Sequence, residues 1–266
     1  ECTIHMAARI VVPESVEKPY EYYRDNVSKS LELFDTLVAL GKANVVFSSS
    51  AALYGMVPGF EVTEDSPLSP TSPYARTKQV MEMALQDVAA ASDLHAIILR
   101  YFNPIGADPK YRSGIYDPSP THVLGQLVAA AQGEIDAFTI TGTAHPTRDG
   151  TGIRDYIHVW DLARAHVAAV EKFAEALDHA KGPSTIINLG TGEGVTVLEL
   201  IESFERVFAK KVPTRTAPPR PGDAVGAYAN VDKAATVLDW RAEHTLDEGI
   251  ASALEWGRRR RAILGL

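Results

Sequence analysis

A parallel α/β sheet carrying a smaller α/β lobe is the fold this sequence predicts, on three observations. Short apolar runs of strand length alternate with amphipathic stretches of helix length. Hydroxyl- and amide-bearing residues follow two of those runs. The texture changes near residue 104, where Pro and Gly crowd into a loop. Thr3 to Met6 reads as a short buried strand. From Val16 to Leu40 apolar residues recur at helical spacing (Val27, Leu31, Phe34, Leu37, Val38), and Gly41 stands where a C-cap belongs. Val45-Val46-Phe47 is a short strand that runs into Ser48-Ser49-Ser50. A loop rich in Gly and Pro follows, then a helix from Tyr74 to about Ala91 and a strand from Ala96 to Tyr101. Ligands of such sheets sit beyond the carboxyl ends of the strands. Ser48–Ser50 and Asn103 both fall there.

Residues 104–121 read as loop, with Pro104, Pro109, Pro118 and Pro120. Helix is expected over roughly Val123 to Gln132, strand near Phe138 to Ile140, and a Gly/Thr-rich loop from Gly142 to Gly152. A helix from Asp161 to about Ala176, a strand at Ile186–Leu189 and a helix at Val197–Phe208 follow. A Pro-rich loop, Pro213 to Gly222, precedes a last helix from about Leu246. The expected organisation is a sheet domain over residues 1–103 and a lobe formed mainly by residues 104–266. The chain is expected to cross back into the sheet.

Composition narrows the function classes. Apolar residues are 45% and charged residues 23% of 266, values ordinary for a globular chain. No apolar run approaches the roughly 18 residues of a membrane span. A net charge of −8 argues against nucleic acid as a partner. One cysteine, Cys2, has no second thiol in the sequence to pair with, which points to a reducing, cytoplasmic setting. The histidines show no metal-ligand spacing, so no metal is expected.

Tyr74 and Lys78 stand at i and i+4, on one face of a helix. A cation near a phenol favours the phenolate and lowers its pKa, making it a base suited to an alcohol. Taken alone, the spacing reads better as an exposed helix pair. Its context is the serine cluster one strand–helix unit earlier. Asn188-Leu189-Gly190-Thr191-Gly192-Glu193-Gly194 follows a strand and precedes a helix, as a dinucleotide loop would. It lacks the G-x-G-x-x-G spacing and reads better as a tight strand-to-helix turn.

Ser, Tyr and Lys in this order, across adjacent strand–helix units, resemble the short-chain dehydrogenases. Longer strings sharpen the likeness. Ile4-His5-Met6-Ala7-Ala8, Phe47-Ser48-Ser49-Ser50-Ala51, Ser72-Pro73-Tyr74 and Arg100-Tyr101-Phe102-Asn103-Pro104 are similar to the extended branch of that family. Asp149 to Val159 and Asn188-Leu189-Gly190-Thr191-Gly192 are similar to the UDP-glucose 4-epimerases within it. The likeness runs along essentially the whole chain.

The resemblance implies a Rossmann-type parallel sheet, NAD as cofactor, a UDP-sugar as substrate and a homodimer formed by helices flanking the sheet. It implies catalytic roles for Ser50, Tyr74 and Lys78. Tyr74 would take the proton of the sugar 4-hydroxyl, Ser50 would polarise the C4 oxygen, and Lys78 would hold the cofactor ribose. Cofactor contacts are implied at Met6, Ala7, Ala8, Asp25, Ser48, Tyr74, Lys78 and Phe102. Substrate contacts are implied at Ser50, Asn103, His122, Val123, Thr139, Thr141, Arg154, Arg220, Asp223 and Ala227. The two arginines would take the diphosphate and Asp223 the uridine ribose. The small Ala227 stands where relatives confined to the glucose pair carry a bulky residue. That substitution implies room for an N-acetyl sugar.

The sequence departs from the family pattern in four places. Ile10 stands where a cofactor-contacting Lys is usual, with Arg9 one position early. Asp25 replaces an Asn. Thr121-His122-Val123 replaces Asn-Asn-Leu, and Thr141 an aromatic. The family's Gly-rich phosphate turn is also not in the sequence. The expectation is a chain that opens inside the sheet domain, on the order of 70 residues into the pattern. Unless that segment is supplied, weak NAD binding and little activity are expected of it. A non-catalytic nucleotide-sugar-binding protein is the competing expectation, as is another nucleotide-sugar-modifying dehydrogenase.

Overall fold

The computed structural model describes residues 1–219 and 225–265. Strand β1 (Thr3–His5) leads into α1 (Val12–Glu17), α2 (Pro19–Tyr23) and α3 (Lys29–Ala39). The single helix expected over Val16–Leu40 is therefore broken. Pro19 has no amide to donate and sits at the first position of a new helix, after a non-helical Lys18. Residues Arg24–Ser28 then form a π-helical stretch. Asn26, inside it, turns its amide away from the helix and takes both the Arg9 N–H and the Arg9 carbonyl, at 2.7 and 3.0 Å.

Strand β2 (Asn44–Ser48) is followed by a 3-10 turn over Ala51–Leu53 and by β3 (Glu61–Val62). Helix α4 (Pro73–Ala91) starts where Ser72 accepts from the Ala75 amide, with Pro73 at the first position. Strands β4 (His95–Tyr101) and β5 (Asn103–Ile105) come next, then α5 (Val123–Ala131), β6 (Phe138–Thr141), β7 (Ile153–Arg154) and β8 (Tyr156–His158). Helices α6 (Val159–Glu171) and α7 (Phe173–Ala180) lead to β9 (Ser184–Leu189) and β10 (Val195–Thr196). The chain ends with α8 (Val197–Phe208), β11 (Thr214–Ala217), β12 (Gly226–Ala229), α9 (Asp232–Leu238) and α10 (Leu246–Leu264). Thr196 and Thr245 begin α8 and α10 with full capping boxes to Glu199 and Glu248.

The main sheet has the order β1-β2-β4-β9, all parallel. The pairing of β9 with β4 brings the chain back to the sheet after a long excursion. Period-2 alternation builds a core on each face. Val46, Ile97, Leu99 and Ile187 face α6 and α9, against Leu162, Ala165 and Val237. Val45, Phe47, Ala96 and Ile98 face α3 and α4, against Phe34, Met81 and Leu85. A third core joins Leu124, Leu127, Phe138, Ile140, Phe204 and Ile250 beside the strand ends. Among the described residues no helix is long and apolar enough to cross a membrane.

Candidate functional site

Strand β2 and helix α4 set the geometry of Ser50, Tyr74 and Lys78. Ser50 lies just past the end of β2, in extended backbone, and accepts from the Ala52 amide at 3.2 Å. Its hydroxyl is hydrogen-bonded to the Tyr74 phenol on the first turn of α4. Lys78, one turn later and 3% exposed, donates to the Ser48 carbonyl at 2.7 Å and lies 5.0 Å over the Phe47 ring. Ser50, Tyr74 and Lys78 thus gather at one strand end, where the sequence put them.

Their electrostatics differ from the expectation. Burial pushes the Tyr74 phenol above its ordinary value, and the Ser50 hydrogen bond opposes it. Lys78 does not lower it directly, because its ammonium turns to the Ser48 carbonyl. Burial pushes Lys78 itself down to about 8, with the Glu82 charge opposing. The Ser48 side chain is fully buried, on His166 at 3.2 Å, and its hydroxyl also bonds Tyr101. Only its carbonyl reaches towards the site, through Lys78.

Beneath this set lies a network the sequence reading missed. Arg100 on β4 grips both Glu82 oxygens, with Nη2 at 2.6 Å, and both side chains are 3% exposed. Glu82 also accepts from Ser49. Arg100 donates to the Tyr54 hydroxyl at 3.0 Å, and Tyr54 donates to Asn188 at 2.6 Å. Tyr54 stacks on Phe102, 6.3 Å between centroids. One buried ion pair therefore ties Ser49, α4, β9 and Phe102 together. The only sequence signal was charge inside two apolar elements, Glu82 in α4 and Arg100 in β4.

The substrate-side residues come together from distant parts of the chain. Asn103 begins β5 beside β8, and its amide donates to the Asp155 carbonyl at 2.9 Å. Arg154 pairs with Ala227 across β7 and β12 and with Val195 on its other side. Its guanidinium donates to the Val225 carbonyl at 2.6 Å. Thr139 and Thr141 alternate on one face of β6, half-buried, and Thr139 accepts from Arg215 at 2.9 Å. His122 is the N-cap of α5, its Nδ1 accepting from the Gly125 amide, and Val123 is the first helical residue. Arg220 and Asp223 lie outside the described residues.

At the end of β1, Met6 and Ala7 are exposed and Ala8 is half-buried. Asp25 lies nearby across Asn26 and bonds Arg9 at 2.8 Å, Arg24 at 3.0 Å and Lys29 at 2.7 Å. These cations, Arg24 foremost, hold its carboxyl well below the usual range. Arg9 thus pairs with the residue that replaces the family's Asn.

The family described as NAD dependent epimerase/dehydratase matches residues 1–190, well over half the chain. The chain belongs to that family. UDP-glucose 4-epimerase 2 of Arabidopsis thaliana is 42% identical over 259 residues, 96% of this chain and 73% of that protein. The UDP-glucose 4-epimerase structure from Stenotrophomonas maltophila, with bound NAD and formylated UDP-arabinopyranose, superposes with a TM-score of 0.91. It is 38% identical and covers 98% of this chain and 77% of its own. The Bifidobacterium longum enzyme, in complex with NAD+ and UDP, gives 0.87 at 36% identity, over 100% of this chain and 78% of its own.

The residues present fit the family's cofactor. Lys78 has three donors and, among the described residues, one hydrogen bond, to the Ser48 carbonyl. Two N–H groups of a buried ammonium are left, the complement of a ribose diol. The Gly190–Gly192 turn is a different matter. Asp155, from the family string after Arg154, fills it with its own carboxylate. The turn has no room for a phosphate, in keeping with the reading of it as structural.

Proposed function

We propose that this chain inverts the configuration at C4 of a UDP-hexose, interconverting UDP-glucose and UDP-galactose with NAD as its cofactor. The observation that carries this is the Ser50–Tyr74 hydrogen bond at the strand end, with the buried Lys78 cation one helical turn below. The family and the named relatives support it. A binding protein without catalysis has no use for that set, and is not favoured.

Lys78, Met6, Ala7, Ala8, Asp25 and Phe102 would hold the cofactor, with Ser48 acting through its carbonyl on Lys78. NAD, when bound, supplies reversible hydride exchange at C4 and a positive charge beside the phenol. Tyr74 takes the proton of the 4-hydroxyl as C4 becomes a ketone and returns it when the alcohol re-forms. Ser50 donates to the C4 oxygen, where negative charge develops. In the first half-reaction C4 loses a hydride and its oxygen a proton; in the second the hydride enters the opposite face of C4 and the proton returns from Tyr74 to the oxygen. Arg154 and Arg220 bind the diphosphate, Asn103 supports it, and Asp223 holds the uridine ribose. His122, Val123, Thr139 and Thr141 line the nucleotide. Ala227 leaves room for an N-acetyl group. The acidic charge and single cysteine support a cytoplasmic enzyme without nucleic-acid partners.

The test is conversion of UDP-galactose to UDP-glucose with NAD present. Tyr74→Phe should lower turnover about 10³-fold, within the range for loss of a general base. UDP affinity by calorimetry should stay unchanged. A Phe variant as fast as the parent would rule out the role given to Tyr74.

A further inference from the structure

Asp155 is fully buried and accepts four hydrogen bonds. Its Oδ1 takes the Thr191 amide at 2.8 Å and the Thr191 hydroxyl at 2.7 Å. Its Oδ2 takes the Gly192 amide at 3.1 Å and the Ala229 amide at 3.2 Å. Three successive features of the turn serve this anion. Gly192 has φ +84, open to glycine at no cost. Gly190 has no side chain, and a Cβ there would collide with Asp155 Oδ2. Thr191 lends its hydroxyl. Such a nest of amides ordinarily selects an anion from solution. Here the chain provides its own.

The position of this carboxylate has a consequence for the substrate. Arg154 precedes Asp155 directly. The Asp155 carbonyl receives the Asn103 amide. Ala229, which donates to the side chain, lies two residues beyond Ala227 on β12. Three residues assigned to substrate, from positions 103, 154 and 227, are therefore each within two residues of a bond to Asp155. We infer that Asp155 is the positioning residue of the UDP-sugar site: its carboxylate, locked by Thr191, Gly192 and Ala229, sets the strands that carry Asn103, Arg154 and Ala227. This rests on the function proposed above.

The charge matters as well as the shape. A carboxylate presents only acceptors to four donors. An Asn of the same size would turn an NH2 group towards two of them. Thr191 offers a gentler probe, because Val copies its shape without the hydroxyl and Ser keeps the hydroxyl.

The experiment measures UDP affinity by calorimetry, alongside kcat, KM and melting temperature. Thr191→Val should weaken UDP about 5- to 10-fold, the equivalent of the hydroxyl's bond to Asp155, since the exposed Glu193 amide that it also accepts can turn to water, while Thr191→Ser binds like the parent. KM should rise in step and kcat at saturation should hold. Asp155→Asn should weaken UDP roughly 100-fold, as for loss of bonds to a charged acceptor. A residue that only holds the fold would lower the melting temperature and leave UDP affinity of the folded chain unchanged, and that result would overturn the inference. So would a fall in kcat with KM constant. If Asp155→Asn does not fold, the Val/Ser pair decides alone. A parent chain that binds no UDP would overturn the proposed function, and this inference with it.

Discussion

Lys78 carries two consequences that run in opposite directions with pH. Burial lowers its pKa from 10.5 to about 8, so between those values the unfolded chain holds more protons than the folded one. Stability due to this group therefore rises with pH across that window, and below it the buried charge is a constant cost. The proposed function has the other sign, since the cation proposed to orient the ribose is lost as pH rises through about 8. Urea unfolding on either side of pH 8 should show the parent gaining on Lys78→Met as pH rises. Turnover should fall over the same range. A stability difference that stays flat would show that Lys78 does not titrate there. Ala227 gives a second test at this scale. It is half-buried opposite Arg154 and packs at the edge of the cluster that holds Tyr54 and Phe102, and the proposed site sets the sugar against its small side chain. Both N-acetyl sugar nucleotides should be substrates, and Ala227→Tyr should abolish their turnover while UDP-galactose is still converted. No turnover of the N-acetyl pair by the parent would end that idea. The grouping of Ser50, Tyr74 and Lys78 was legible because chemistry fixes the types proposed for them and helical geometry the spacing of two. The state of Tyr74 was not, because burial and the direction of the Lys78 ammonium are tertiary facts.

Helix α4 shows how an element transmits small local errors to chemistry. Tyr74 is on its first turn, so the Ser72 cap fixes both the start of the helix and the height of the phenol. Ser72→Ala should cost about 1 kcal/mol, measured by denaturant midpoint. It should also lower kcat more than a matched loss at the far end of the helix, such as Ser92→Ala. Equal effects would separate the cap from the chemistry. Four positions after Lys78, Glu82 pairs with Arg100 out of water. Arg100→Met leaves that buried carboxylate with the Ser49 hydroxyl but no bonded cation, and should cost about 3–5 kcal/mol. Elements were legible where period and caps agreed: α4 and β4 begin within one residue of the expected positions. The region of residues 16–40 was misread because helical periodicity survives Pro19 and the π-helical stretch, although the hydrogen bonding does not. Strand pairing between β9 and β4 could be anticipated only as a return to the sheet, since register depends on contacts across nearly ninety positions of sequence.

For the molecule as a whole, the exposed face of α3 and α4 is the remaining structural demand. Both helices bury one side against the sheet core. On the other side Leu31, Val80 and Met83 stay exposed, Met83 at 57%, and Tyr20 and Tyr23 extend the strip. Val80 and Met83 are one turn apart on α4, so they form a continuous apolar edge. An apolar strip of this extent on a chain with net charge −8 calls for a cover that repeats its own chemistry. A second copy does so, because a two-fold contact places the same patch on both sides. We propose a homodimer through this face. Light scattering should then give twice the 28.8 kDa of the chain. Met83→Glu would bury a charge in that proposed contact, on both copies, at the cost of its hydration. That variant should run as a monomer, with its UDP affinity intact because Met83 is on the exposed side of α4 while Tyr74 and Lys78 on the same helix are buried. A parent chain that stays monomeric at every concentration rules the dimer out. A Met83→Glu variant that stays dimeric moves the contact to another face.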